Sequence, residues 1–434
     1  MRASQLLILR RLVALLIGAS LLGAACAAPL SRTEVTLRHT LDGAAAEALI
    51  NLVMRFNAEQ KNRALVRLEL RADRSDSEQA QEGPLPQMAL LDPADSMNFF
   101  GTRPRMRMLD DVMRDSGSPL AASNLLPQLA DTVDDANGRL QALPLAMSLP
   151  VLFVNRPLLA KAGLSPNWPL RTWRAVQDAA GQLNENGVRC PLTSSHFAWI
   201  HVENLTSQSG EPMLVRSAEM DRLLINGQIP IKHLALLASW QKSRYFAYYG
   251  PNREGDLRFL DGECAMLTGA SALYPEIARR RMDVAVMPLP YYDDVYGTKG
   301  GNTLPDGDSL WILAGASRPQ EELITRFVRF LLEPSSQREW IAKSGFLPMT
   351  PGGLDAMREA NIFSPAMLVS IKRRLTAPKP LAARVKSSAA RERYRKVFGE
   401  ELAPVWTTDR APKEALDLTV QRLNTEPEMR NRTP

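Results

Sequence analysis

Residues 148–155 read SLPVLFVN, and from Pro150 to Val154 nothing interrupts the apolar run before Asn155 and Arg156-Pro157. That is the pattern of a strand feeding a short helix. Gly163 can end this helix in the left-handed conformation that most residues resist, and Thr172 then caps another helix opening at Trp173. The stretch is therefore a βα unit in the middle of the chain. The fold depends on what it joins.

Toward the N-terminus, residues 33–39 (TEVTLRH) alternate apolar and polar as a strand does. Asp42 then opens an Ala-rich helix with Leu49, Leu52, Val53 and Phe56 on one face. ALVRLEL at 64–70 predicts a second strand, and Met88 to Leu91, stopped by Asp92-Pro93, a third. A βαβ unit followed by another strand begins a parallel or mixed sheet, in which ligands bind beyond the strand C-termini. Toward the C-terminus, FLDGECAML (259–267), VAVMPLP (284–290) and SLWILA (309–314) read as strands, and they must join sheets begun earlier. After Pro319 the spacing of Leu323, Ile324, Phe327, Phe330 and Leu331 predicts a helix broken at Pro334. A shorter helix carrying Trp340 ends at Gly345, and the last hundred residues are mostly helical.

With 434 residues, 45% hydrophobic and 23% charged, the composition is that of a soluble globular protein of two or three domains, not of a disordered, collagen-like or polytopic membrane chain. Residues 1–25 have the three parts of a secretory signal peptide: a basic start ending in Arg10-Arg11, an apolar run at 12–25, and small residues after it. The run is shorter than the ~20 residues of a spanning helix. Loss of Arg2, Arg10 and Arg11 with the signal lowers the formal charge from +6 to +3, which does not point to nucleic acid. Cys26, preceded by Leu22-Gly23-Ala24-Ala25, stands where a lipobox would place a lipidated cysteine; the alternative is ordinary cleavage after Ala27. The expected location is periplasmic, free or lipid-anchored.

Three cysteines exclude a disulfide scaffold. Cys190 and Cys264 face an oxidising compartment as a disulfide or as two buried thiols. The histidines, His39, His196, His201 and His233, show no metal-ligand spacing, and neither a metal nor a cofactor is expected. There is no phosphate loop, dinucleotide fingerprint or nucleophile elbow, so nothing nominates an enzyme. The acidic doublets Asp110-Asp111, Asp134-Asp135 and Asp293-Asp294 fit surface turns. Residues 371–396, with ten Lys or Arg against Glu392, fit a solvated helical face. Aromatic residues beside polar turn residues, at Trp168, Trp173, Trp199, Trp311 and Phe346, suit the walls of a site for a small hydrophilic ligand. Trp240, Trp340 and Trp406 read as core.

Eight segments in order carry a resemblance: RFNAE (55–59), SLPVLFVN (148–155) with KAGL (161–164), TW (172–173), AWIHVEN (198–204), FLDGECAM (259–266), SLW (309–311), KSGFLP (343–348) and EELAPVW (400–406). The chain resembles the extracellular solute-binding proteins of bacterial ABC importers, most of all the members that take sn-glycerol 3-phosphate. The resemblance implies an α/β, two-lobed periplasmic-binding-protein fold of type II, each lobe a mixed sheet flanked by helices, joined by hinge strands and closing on the ligand. Residues 33–147 plus 272–318 are expected in the N-terminal lobe and 148–271 plus 319–434 in the C-terminal lobe. Cys190 and Cys264 also fall where those relatives have cysteines.

Carried over position by position, the resemblance implies phosphate ligation by Ser148, Gly307 and Arg395, and an aromatic wall at Trp173. It departs where Phe346 stands for a tyrosine, where Ala270 stands for a serine with Ser271 adjacent, and where Asp306 stands for a glycine. A carboxylate at 306 repels a phosphate unless it points away or pairs with a cation. The segment 71–86 is shorter than in the relatives, and the glutamate for the glycerol hydroxyls aligns near Asp92, with Asp95 as another substitute. The implied function is a monomeric carrier of a small polyol phosphate (sn-glycerol 3-phosphate or a glycerophosphodiester) to ABC permease subunits, with no chemistry of its own. The alternatives are an uncharged sugar or polyol as ligand, or a degenerate binding protein acting as sensor or scaffold.

Overall fold

The computed structural model describes residues 32–70, 85–91, 106–135, 137–215, 222–293, 303–360, 363–377 and 388–425. Cys26, Asp92, Asp95 and Asp294 lie outside them. Two sheets organise the chain, one for each lobe.

In the first sheet the strands run in the order Ala64–Leu70, Thr33–His39, Met88–Leu91, Asp306–Leu313, Met106–Arg107, with Leu143–Ser148 also paired to Asp306–Leu313. The three N-terminal strands are parallel, as the βαβ reading requires, with Thr33 opposite Ala64 and Leu37 opposite Met88. The alternation read in TEVTLRH is the burial pattern: Val35, Leu37 and His39 point into the lobe. Helix Gly43–Glu59 covers this face, and Phe56 meets the rings of Phe327 and Phe330 edge-on at 5.0 and 5.3 Å.

The second sheet has the order Phe246–Ala247, Cys190–Ser194, Cys264–Ala270, Pro150–Asn155, Val284–Pro288. Pro150–Asn155 is buried along its whole length and antiparallel to both neighbours. Thr172 caps helix Trp173–Glu185 through its Oγ1, which accepts from Ala175 N at 3.2 Å. Cys190 lies opposite Cys264 on adjacent parallel strands, and the two form a disulfide. Helices Gln228–Lys242, Ser388–Thr407 and Pro412–Asn424 complete this lobe's core.

Three expectations change. Phe259 and Leu260 end a helix, Glu254–Leu260, because Gly262 turns the chain at φ +75° before the strand begins at Cys264. Val284–Pro288 belongs to the second sheet, so the stretch after 271 does not leave the C-terminal lobe at once. Helices Arg318–Leu332 and Pro334–Ser344 pack on the first sheet, since Leu323, Phe327 and Trp340 fill the core of Leu37 and Phe56. Segments 284–288 and 319–344 thus sit in the lobes opposite to those read from the sequence. The physical reason is that an apolar helical face fits either core, and only strand pairing decides.

The chain first passes between the sheets through Leu149, where Ser148 ends a strand of the first and Pro150 begins one of the second, and it returns to the first sheet between Val284–Pro288 and Asp306–Leu313. A third apolar cluster, including Met147, Leu149, Phe153, Leu267, Leu347 and Ile371, surrounds this crossing.

Candidate functional site

The crossing gathers residues that are far apart in sequence. Ser148, buried at 5% exposure, faces Asp306 in the strand register, and Gly307 faces Met147. Ser271 clasps the crossing residue from the second lobe: its N–H donates to Leu149 O at 2.8 Å, and its Oγ accepts from Leu149 N at 3.1 Å. Leu347 N–H donates to Met147 O at 2.8 Å, which brings Phe346 alongside, its ring stacked on Trp340 at 5.4 Å. Ser148, Ser271, Gly307 and Phe346 therefore converge on residues 147–149.

Arg395 joins them from helix Ser388–Thr407. Its Nε and Nη2 donate to Glu203 Oε1 and Oε2 at 2.8 and 3.1 Å, and its Nη1 donates to Asp306 Oδ2 at 2.6 Å. Burial alone would lower the pKa of this guanidinium, but the charges of Asp306 and Glu203 outweigh that and raise it well above its ordinary value. Asp306 is thus paired with a cation, one of the two conditions under which a carboxylate is compatible with an anionic ligand.

Glu203, inside AWIHVEN, has no feature in the sequence that marks it as a partner of Arg395. It belongs to a six-residue π-helix, Trp199–Asn204. Such turns are rare and concentrate at functional sites, but their spacing lies outside the helical and strand periods that sequence reading tests. The same turn holds the chain entering the first sheet: Trp199 Nε1 donates to Leu304 O at 2.8 Å, and Leu304 N–H donates to Asn204 Oδ1 at 2.8 Å.

Trp173 is placed differently. It is 1% exposed and enclosed by His201, His233 and Tyr292, with ring centroids 5.6, 4.6 and 6.4 Å away. Behind it His201 Nδ1 and His233 Nε2 share a hydrogen bond at 2.8 Å; His201 Nε2 meets Ser194 Oγ, and His233 Nδ1 meets Tyr292 Oη, each at 2.8 Å. Burial lowers the pKa of both imidazoles, that of His233 to about 3, and the neighbouring His233 lowers His201 further. The pair is neutral at pH 7.

A second polar cluster lies at the C-terminal ends of the parallel strands of the C-terminal lobe. Ser195 Oγ donates to Asp256 Oδ1, and Arg253 approaches Asp256 at 3.4 Å; burial nevertheless raises the Asp256 carboxyl to about 6. Arg253 also reaches Asp42 of the other lobe at 3.4 Å. The lobes therefore touch through Arg253 and Asp42 as well as through Arg395 and Asp306. Among the described residues no cluster of His, Cys, Asp and Glu could hold a metal ion, and no helix is long and apolar enough to cross a membrane.

A profile of the family described as bacterial extracellular solute-binding protein matches residues 73–360. The chain is 28% identical over 428 residues, 95% of each chain, to the sn-glycerol-3-phosphate-binding periplasmic protein UgpB of Escherichia coli (strain K12). It is 30% identical over 322 residues to the protein of the same name from Salmonella paratyphi A, covering 72% of this chain and 73% of that one. Among solved structures it is similar to UgpB from Mycobacterium tuberculosis in complex with glycerophosphocholine (TM-score 0.71, 18% identity, 91% and 98% of the two chains). It is equally similar to maltose-bound T. maritima MalE3 (TM-score 0.71, 17% identity, 91% and 99%). At these identities the two structures speak for the two-lobed α/β fold and not for a ligand. The chain belongs to the bacterial extracellular solute-binding proteins, which bind small solutes for ABC importers and are not enzymes.

Proposed function

We propose that this protein captures a small polyol phosphate, sn-glycerol 3-phosphate or a glycerophosphodiester, and as a monomer delivers it to the permease subunits of an ABC importer after the lobes close around it. The observation that carries this reading is the convergence of Ser148, Ser271, Gly307, Phe346 and Arg395 on residues 147–149. These supply hydroxyls, a backbone N–H and a guanidinium to one place. The likeness to glycerol-phosphate-binding relatives over 95% of the chain supports the same ligand class. Asp92, the residue after Leu91 in the sequence, enters as the carboxylate for the ligand hydroxyls, whereas Trp173, 1% exposed, offers a ring to the ligand only if the lobe opens around it. Residues 1–25 act as the export signal, with Cys26 as the lipid-bearing residue if the protein is anchored.

A second reading, an uncharged sugar or polyol, is favoured by the two carboxylates that already hold Arg395. Calorimetric titration with sn-glycerol 3-phosphate, glycerophosphocholine and maltose separates the two. Saturable binding of a phosphate ligand, lost in Arg395→Ala and in Arg395→Lys, which keeps the charge but not the planar fork, is the expected result. Binding of maltose alone would favour the second reading. Thermal unfolding of each variant checks that it is folded, since removing one partner of a buried ion pair costs about 3–5 kcal/mol.

A further inference from the structure

Three of the five N–H groups of Arg395 are engaged: Nε and Nη2 by Glu203, and one on Nη1 by Asp306. A ligand phosphate is left the remaining N–H of Nη1 and of Nη2, at the end of the fork. Two acceptors on one trigonal nitrogen stand about 5 Å apart, given ordinary hydrogen-bond lengths. A phosphate oxygen there becomes a neighbour of the Asp306 carboxylate. The backbone of Asp306 does not yield, because residue 306 is paired with Ser148 and the next residue, Gly307, is pressed against Ala146. The side chains of Glu203, Asp306 and Arg395 are 9, 16 and 24% exposed, so solvent screens the repulsion only in part.

We propose that Asp306, with Glu203, selects the charge state of the ligand's phosphate, so that the site takes a phosphodiester monoanion in preference to a phosphate monoester dianion. This inference rests on the polyol-phosphate reading of the site. Repulsion by a fixed carboxylate scales with the charge that approaches it, so a dianion is opposed about twice as strongly as a monoanion. A guanidinium without carboxylate partners would have the opposite preference. Asp306 acts through Arg395 and through its own charge, as a specificity-determining residue.

The test is calorimetric titration at pH 7.5 of the wild type, Asp306→Asn and Asp306→Gly with sn-glycerol 3-phosphate, its methyl diester and glycerophosphocholine. The methyl diester removes one charge without adding a cation. The wild type is expected to bind the methyl diester about tenfold more tightly than the monoester, the size of one like-charge contact at a partly screened site. Both variants should gain about tenfold for the monoester and much less for the diesters, so that the preference disappears. A merely structural role for Asp306 would move all three affinities together. A wild type that prefers the monoester overturns the inference without any variant, as does an unchanged ratio in variants that still bind. Failure of every protein to bind any phosphate ligand overturns instead the reading on which the inference rests.

Discussion

Gly307 has φ +143°, and a Cβ built on it would lie 2.1 Å from Ala146 O. Both facts follow from the close approach of strands Asp306–Leu313 and Leu143–Ser148, which also brings Asp306 opposite Ser148. Gly307 is therefore needed by the backbone whatever it offers a ligand. Gly307→Ala is expected to destabilise the protein by about 3 kcal/mol or more, since strain and overlap act together. Urea unfolding of the variant measures this. A loss below about 1 kcal/mol would mean that the strands can separate locally. Ser148 stands in SLPVLFVN and could be singled out at this scale, Gly307 and Arg395 could be named only as positions carried over from the resemblance, and the conflict posed by Asp306 was visible from its charge. Its resolution was not legible, because it depends on Arg395, 89 residues further on, and on Glu203, 192 residues before Arg395.

Among the elements, strands Cys190–Ser194 and Cys264–Ala270 are joined by the disulfide as well as by their ladder. The cross-link closes a sequence separation of 74 residues, for which the loop-entropy relation gives about 4 kcal/mol. Cys190→Ser with Cys264→Ser should lower the unfolding free energy extrapolated from urea by that order. A two-state transition becoming biphasic would place the loss in the C-terminal lobe alone. Strands such as Thr33–His39 and Pro150–Asn155 could be read from alternation or from an unbroken apolar run. Phe259-Leu260 could not, because two apolar residues closing a seven-residue helix look like the start of a strand when Gly262 and the next apolar run follow at once. The π-helix Trp199–Asn204 escaped for a related reason: periodicity is a property of runs, and six residues are too few to display one.

For the molecule as a whole, the buried titratable groups set how stability depends on pH. His233 is depressed to about 3, so between pH 6.5 and 3 the unfolded chain binds a proton that the folded chain refuses, and stability falls as pH falls. By pH 5 this costs about 2 kcal/mol for His233, and His201 acts in the same direction. Asp256, raised to about 6, works the other way: the folded state takes up its proton first, which returns about 1 kcal/mol by pH 5. The expected outcome is a lower urea midpoint at pH 5 than at pH 7, with a larger difference in Asp256→Asn. An equal difference in that variant would mean that Asp256 is charged in the folded protein throughout this range.

Strand Asp306–Leu313 lies inside the first sheet, between Met88–Leu91 on one side and Met106–Arg107 and Leu143–Ser148 on the other. It follows every strand of the second sheet in the sequence. An N-terminal lobe emerging from the ribosome therefore has a gap at its centre until the other lobe's strands have all been delivered. A fragment ending before residue 306 would leave the inner edges of Met88–Leu91 and Leu143–Ser148 unpaired, and such edges invite pairing with other chains. The order of the chain thus delays completion of the first sheet until nearly three quarters of the protein has been delivered, so the N-terminal lobe's sheet is the last of the two to close although most of its strands are made first.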